Sequence, residues 1–298
     1  MSQRPAAFGE RTTLRVGGGA RAAIEVEDRG QLDSLVASLG SATPLYVLGR
    51  GSNTLVADAG FDGVVVHLGQ AFAEIRIEPT TSRLVAGGAA DLPVVARRSV
   101  EAGLSGFEWA VGVPGTIGGG VKMNAGGHGS SMAESVLAAS VMDLSTGSTR
   151  VLDREQLGFA YRHSALSDRQ LVLDATLQLA PGDPEAGRAA LAEIVRWRRE
   201  HQPGGSNCGS VFANPPGDSA GRLIEAADCK GIRLGSASVS SKHANFIQVD
   251  PGGSADDVRA LIELVRARVE ERFGLRLDTE VKLVGFEPGY PVAPRGEG

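Results

Sequence analysis

Glycine placement constrains this chain more than any other feature of its sequence. The chain carries 41 glycines among 298 residues, roughly twice the average share of about 7%. They concentrate at 17–19, 49–51, 112–129 and 204–209, between segments with strand or helix patterning. A fold with such clusters must place bare backbone in turns at positive φ, or against something that approaches it closely. Evenly scattered glycine would instead indicate low complexity.

Between the clusters the patterning is mixed. Ala23 to Val26 is β-like, Gln31 to Leu39 puts Leu32, Leu35, Val36 and Leu39 on one helical face, and Leu45 to Leu48 is apolar again, a small β-α-β unit. Thr54 to Ala57, Val64 to Leu68, Ile75 with Ile77, and Leu84 with Val85 read as strands. Asp91 is expected to N-cap a helix carrying Leu92, Val95, Ala96 and Val100, which Gly103 stops. Strands return over Val136 to Leu144, Arg150 to Leu152 and Leu171 to Leu179, the last with its odd-numbered residues facing one way. After a break at Pro181 to Pro184, a helix with Leu191, Ile194, Val195 and Arg198 ends near Gln202 and Pro203. A final helix follows Ser254, buries Val258, Leu261, Ile262, Val265 and Val269, and ends at Gly274. The fold class is α+β. Residues 287–298, with three prolines and three glycines, are expected to form a flexible tail.

Composition excludes several function classes. The formal charge is -5, so no global basic field attracts nucleic acid or anionic lipid. Two cysteines, Cys208 and Cys229, argue against a disulfide framework or a structural zinc site, and no metal site is expected. No segment approaches the roughly 18–20 apolar residues of a membrane span, and Met1 to Arg11 has no apolar leader core. The expectation is a soluble, cytoplasmic protein with a small-molecule partner, without nucleic-acid, membrane or obligate protein partners.

Several segments carry chemistry. Gly49-Arg50-Gly51-Ser52-Asn53 follows an apolar strand, but it lacks the third glycine and the helix of a Rossmann motif. It is either a tight turn or a nest of backbone N–H groups around a pyrophosphate. The run from Val111 to Gly129 has too little side chain for a packed strand and reads as a long loop that a ligand orders. Arg162, beside Tyr161, offers a planar fork for a carboxylate or phosphate, or is a surface arginine. Ser210, within Gly209-Ser210-Val211-Phe212, is a turn serine or a positioned hydroxyl. It is no hydrolase elbow, since position 208 is cysteine. Glu280 is flanked by apolar positions and lies on an outer face or in a site. Lys242 to Phe246 is a polar turn that enters a strand.

Taken in order, Thr12-Thr13-Leu14-Arg15-Val16-Gly17-Gly18, Gly49 to Asn53, Pro114-Gly115-Thr116-Ile117-Gly118-Gly119 with Met123-Asn124-Ala125-Gly126, Tyr161-Arg162, Gly209 to Phe212, Gly221 to Ala226, Lys242 to Phe246 and Glu280-Val281-Lys282 resemble the UDP-N-acetylenolpyruvoylglucosamine reductase family over about residues 12–286. The resemblance implies an FAD-binding fold of the vanillyl-alcohol oxidase type. Its two FAD-binding subdomains are 1–74 and 75–196, and its C-terminal α+β substrate-binding domain is 197–286. It implies noncovalent FAD, NADPH as reductant, and reduction of a nucleotide-sugar enolpyruvyl ether to UDP-N-acetylmuramate in peptidoglycan synthesis, with its links to cell shape and division. Arg162, Ser210 and Glu280 match the catalytic positions of the family. Gly49, Arg50, Gly51, Ser52, Asn53, Pro114, Gly115, Thr116, Gly118, Gly119, Asn124, Ala125 and Gly126 match cofactor-binding positions, and Tyr161, Asn214, Lys242 and Asn245 substrate-binding ones. The short spacing of the middle strands looks like the compact form of the family, without an extra tyrosine-bearing loop. The chain departs from the common pattern at Ala213, where lysine is frequent, leaving Lys242 or Lys122 to supply a cation, and at His128, where tyrosine is common. The rival readings are a same-fold flavin oxidase acting on another substrate, and a binding protein without turnover.

Overall fold

The computed structural model describes residues 7–40 and 42–286, so the tail expected at 287–298 lies outside the described residues. Two units emerge. The middle unit comprises Ala22–Arg50 and Gly63–Glu200, and the terminal unit combines Gly51–Asp62 with the described parts of Met1–Arg21 and His201–Gly298.

The expected β-α-β start of the middle unit is present. Helix Arg29–Ser38 begins where the Asp28 carboxylate accepts from the Gln31 amide at 2.8 Å, and it buries Leu32 and Leu35. Those leucines pack with Val26, Val64 and Val66 of a three-stranded sheet, ordered Ala20–Val26, Phe61–Leu68, Leu45–Val47, whose last pair is parallel.

A five-stranded antiparallel sheet is ordered Thr149–Asp153, Val136–Asp143, Gln170–Gln178, Arg83–Gly87, Ile75–Glu78. The odd-numbered residues from Leu171 to Leu179 are buried as expected, yet they do not share one face. Val141 pairs with Val172 and Ser140 with Asp174, leaving Leu173 as an extra residue. A bulge of this kind reverses the alternation of the strand. Leu171 and Leu173 therefore join the core around Leu32 and Val66, while Val172, Ala175 and Leu177 join a second core with Val95, Ala96 and Val100 of helix Leu92–Glu101.

That helix starts where the sequence places it, but Asp91 makes no capping bond with its side chain. No donor is left for one. The Leu92 amide is taken by Gly115 O, Pro93 has none, and the Val94 and Val95 amides donate to the Asp91 carbonyl. The carboxylate is released to pair with Arg50 Nη2 at 2.9 Å.

In the terminal unit the antiparallel strands Arg233–Leu234, Ala237–Val239 and Ile247–Val249 pack with helices Ala220–Ala226 and Ala255–Phe273 through Leu223, Ile224, Val258, Leu261, Ile262 and Val265. The long helix matches its sequence signals: Ser254 Oγ accepts from the Asp257 amide at 3.2 Å, and Gly274 ends it at φ 63°. The short helix is an addition. Its signals were Ser219, whose Oγ accepts from the Arg222 amide, and the helical spacing of Ala220, Leu223, Ile224 and Ala227.

Residues 51–62 belong to this unit because Thr54–Val56 pairs in parallel with Lys282–Val284. Asp58 adds a second tie, since its carboxylate accepts from Ser254 Oγ at 2.6 Å, Ala255 N at 3.0 Å and Asp256 N at 3.1 Å. It satisfies the first amides of the long helix and opposes a negative charge to the positive end of its dipole. Asp58→Ala is expected to lower stability by about 1–2 kcal/mol in urea unfolding; an unchanged midpoint would contradict this capping role.

Candidate active site

In the middle unit two glycine loops meet. Gly49 lies so close to the 114–119 turn that a Cβ at position 49 would stand 2.8 Å from Thr116 Oγ1. Arg50 stands beside this junction, held by Asp91, and Asp91 itself bridges to Thr116. The turn is braced from below by the 88–90 backbone: Ile117 N donates to Ala90 O at 2.8 Å and Gly118 N to Gly88 O at 2.9 Å.

The segment expected to be a loop over 111–129 is ordered by the protein itself. Residues Ile117–Met123 form a helix in which Thr116 Oγ1 accepts from the Gly119 amide at 3.3 Å. Each glycine there costs about 1 kcal/mol relative to alanine, but Ile117 and Val121, one turn apart, are fully buried in the core of the unit. Tertiary burial overrides propensity. The overlooked signal was that threonine cap followed by an apolar pair at i, i+4.

Asn124 closes the helix in the left-handed region at φ 42°. Its side chain is buried, with Nδ2 donating to Ala160 O at 2.8 Å and Oδ1 accepting from Ala133 N at 2.9 Å. Ala125 and Gly126 follow, with Ala125 N donating to Gly120 O and Gly126 pairing with Ser131. Asn124 thereby links the glycine turn to the turn that carries Tyr161 and Arg162. In that turn Ala160 and His163 exchange backbone hydrogen bonds at 3.0 and 3.1 Å, and Arg162 sits at φ 54°. The half-buried Arg162 guanidinium lies over the exposed Tyr161 ring, 5.2 Å from its centroid.

Lys122 is committed elsewhere in the unit, donating to Leu166 O and pairing with Asp168 at 3.0 Å. His128 stands edge-on to Trp197 with centroids 5.1 Å apart, and its pKa is lowered by burial first and then by Arg198.

In the terminal unit Gly51 has φ 62°, and a Cβ there would sit 2.7 Å from Thr12 Cα, so only glycine fits under the Arg11–Thr12 backbone. Next to it, Asn53 Nδ2 donates to Glu280 O at 3.1 Å and the Lys282 amide donates to Asn53 O at 3.0 Å. The Glu280 amide in turn donates to Val211 O at 2.8 Å. Half-buried Ser210 and half-buried Glu280 thus stand on adjoining backbone, far apart as they are in sequence.

Asn245 lies behind them, 3% exposed. It is joined to the residues after Ser210 by three hydrogen bonds: Val211 N to Asn245 O at 2.9 Å, Phe212 N to Asn245 Oδ1 at 2.9 Å, and Asn245 Nδ2 to Phe212 O at 2.8 Å. Asn214 Oδ1 accepts from the Ala220 amide at the start of the short helix, and Lys242 is exposed on its turn.

The site residues expected from sequence therefore fall on both units. Gly49, Arg50, Pro114 to Gly126, Tyr161 and Arg162 lie on the middle one, and Gly51, Ser52, Asn53, Ser210, Asn214, Lys242, Asn245 and Glu280 on the terminal one. Sequence reasoning missed two supports: Asp91 as the partner of Arg50, and the 88–90 backbone under the glycine turn. A carboxylate four decades along the chain from its arginine, and bare carbonyls, leave no sequence signal.

Two family models match this chain. One described as "FAD binding domain" covers residues 20–153, and one described as "UDP-N-acetylenolpyruvoylglucosamine reductase, C-terminal domain" covers 201–284. A relative from Symbiobacterium thermophilum named UDP-N-acetylenolpyruvoylglucosamine reductase 2 is 44% identical, over 94% of this chain and 91% of its own. One from Heliobacterium modesticaldum, with the same name without the numeral, is 43% identical over 97% and 92%. The crystal structure of UDP-N-acetylenolpyruvylglucosamine reductase (MurB) from Thermus caldophilus matches with a TM-score of 0.80 at 36% identity, covering 92% of this chain and 96% of that one. The fold is thus the expected α+β FAD-binding type with a C-terminal domain.

Cys208 is buried in the terminal unit, and its thiol is pushed up to about 12, chiefly by burial, with the nearby Glu280 charge adding to the shift. Both effects disfavour the thiolate, so Cys208 is unsuited to nucleophilic work. At pH 8 a thiol-alkylating reagent is expected to leave Cys208 of the native protein unmodified by mass spectrometry and to label it after unfolding. Rapid labelling of the native protein would contradict the buried, neutral thiol.

Proposed function

The chain belongs to the UDP-N-acetylenolpyruvoylglucosamine reductase family, and from that premise we propose that it reduces UDP-N-acetylglucosamine enolpyruvate to UDP-N-acetylmuramate, with NADPH as reductant and noncovalently bound FAD as hydride carrier. The product feeds peptidoglycan assembly, and through it cell shape and division. Among the described residues no helix is long and apolar enough to cross a membrane; we propose a cytoplasmic site of action without an obligate protein partner. As functional segments, 1–74 and 75–196 are assigned to the flavin and 197–286 to the substrate.

The residues present fit FAD. The close approach of Gly49 to Thr116 leaves only backbone and short side chains at the junction of the two glycine loops, with the Arg50 cation beside it. Such a surface suits a pyrophosphate, which needs backbone N–H groups within reach and nothing bulky between. Gly49 to Asn53, Pro114 to Thr116, Gly118, Gly119 and Asn124 to Gly126 are assigned to the cofactor, Asn124 by fixing the turn. Tyr161, Asn214 and Lys242 are assigned to the substrate side, and Asn245, buried with its side-chain amide spent on Phe212, is assigned there only through the backbone it holds.

FAD, when bound, supplies a hydride to the terminal carbon of the enolpyruvyl group. Negative charge then builds on the substrate carboxylate. Arg162 is suited to receive it, because the closed Ala160–His163 turn and the Tyr161 ring hold its guanidinium before charge develops. Carbon 2 of the resulting enolate is strongly basic, so a positioned hydroxyl suffices as its proton donor, the role assigned to Ser210. Glu280 stabilises or protonates the enol. The observation that carries this reading is the junction through Val211 O, which places Ser210 and Glu280 on adjoining backbone. A same-fold oxidase would have no enolate to protonate and no use for that pair.

Ser210→Ala is expected to leave flavin reduction by NADPH nearly intact and to slow reoxidation by the enolpyruvyl substrate by about 10²–10⁴-fold in stopped flow. Equal loss in both half-reactions would remove Ser210 from the donor role. The same preparation, precipitated with acid, should release its yellow colour into the supernatant; colour retained in the pellet would overturn noncovalent binding.

A further inference from the structure

The Ser210 hydroxyl can act only if its backbone holds it at one place. Three features of the terminal unit bear on how that is done. Ser210 lies on an isolated bridge to Phe246 rather than within a strand ladder, so it has little regular structure of its own. The glycine before it is at φ 75°, and the Gly209 amide donates to Asn207 Oδ1 at 3.0 Å, a contact within the preceding loop. The two residues after it are held by Asn245, whose carbonyl and side-chain amide together engage Val211 N, Phe212 N and Phe212 O.

The side-chain half of that clamp is unusual in its economy. Phe212 is 1% exposed and Asn245 3%, so neither Phe212 backbone group has water to fall back on. The Asn245 side chain serves one donor and one acceptor of the same residue. Its own turn is fixed independently: Ser240 Oγ accepts from Lys242 N at 3.1 Å, Phe246 N donates to His243 O at 3.0 Å, and Asn245 N donates to His243 Nδ1 at 3.3 Å. The clamp therefore ties Ser210 to a preformed turn.

We propose that Asn245 is a positioning residue for proton donation, acting through Phe212 and Val211 to hold the Ser210 hydroxyl where the enolate carbon must receive its proton. This rests on the proposed reductase reading and on Ser210 as donor. A group working this way changes the proton-transfer step and little else. Its loss makes that step slower and more nearly rate-limiting, so sensitivity to D2O rises.

The test uses the flavin-loaded full chain and compares Asn245→Ala, Asn245→Asp and Ser210→Ala. In Asn245→Ala, reoxidation by UDP-N-acetylglucosamine enolpyruvate is expected to slow by about 10–100-fold, with a larger solvent isotope effect on that half-reaction than in the unsubstituted protein. Hydrogen exchange followed by mass spectrometry supplies a readout independent of turnover: the peptide containing Val211 and Phe212 should exchange faster, while peptides of the middle unit keep their rates. In Asn245→Asp an ionised carboxylate repels Phe212 O, whereas the neutral carboxyl can donate to it. Reoxidation should therefore recover as the pH falls through the pKa of the introduced group, which burial raises. This second variant decides the matter if Asn245→Ala does not fold. Unchanged isotope effect and exchange in Asn245→Ala, or an Asn245→Asp profile parallel to that of the unsubstituted protein, would overturn the positioning role. If Ser210→Ala itself reoxidises at the normal rate, the donor reading fails first, and the proposal falls with it.

Discussion

The parallel pairing of Thr54–Val56 with Lys282–Val284 is the constraint on which the terminal unit depends. It recruits a segment from the first quarter of the sequence into a core built mainly from 201–286, with Leu14 and Val16 beside it. Without it, Gly51 to Asn53 would be an ordinary turn. With it, Asn53 reaches the Glu280 carbonyl, and Glu280 reaches Val211 next to Ser210. Asp58 extends the same tie to the first amides of the long helix. One strand pairing therefore orders a chain of backbone contacts running from a glycine loop to a proposed acid.

The glycines serve two separate physical ends. At Gly51 the need is conformational and steric together, since φ is positive and the Thr12 backbone lies against it. At Gly49 the need is proximity alone, because its neighbour Thr116 leaves no space for a side chain. The run at 117–120 meets neither need so strictly. It becomes helical because burying Ile117 and Val121 outweighs the cost of ordering flexible residues.

Much of this was legible in the sequence, and the parts that were not have identifiable causes. The long helix after Ser254 has cap, apolar stripe and glycine stop, three local signals in agreement, and it forms as written. The strand from Leu171 to Leu179 shows the limit of periodicity: burial follows the odd positions, but the bulge at Leu173 depends on its partner strand and no local pattern announces it. Asp91 carries the composition of a cap, and its role changes because Gly115 O and Pro93 leave it no amide to serve. Of the site, residue types and order were readable through family resemblance. The supports beneath them were not, because they are backbone carbonyls and side chains brought together by tertiary contacts.

The central claim is that an enolpyruvyl sugar reoxidises the flavin. Its most direct test is an anaerobic stopped-flow trace of the yellow protein, reduced with NADPH and then mixed with UDP-N-acetylglucosamine enolpyruvate. The account predicts rapid return of the oxidised flavin spectrum, with one UDP-N-acetylmuramate formed per flavin. Reduced flavin that persists until oxygen is admitted would contradict it, and would shift the assignment to an oxidase on the same fold.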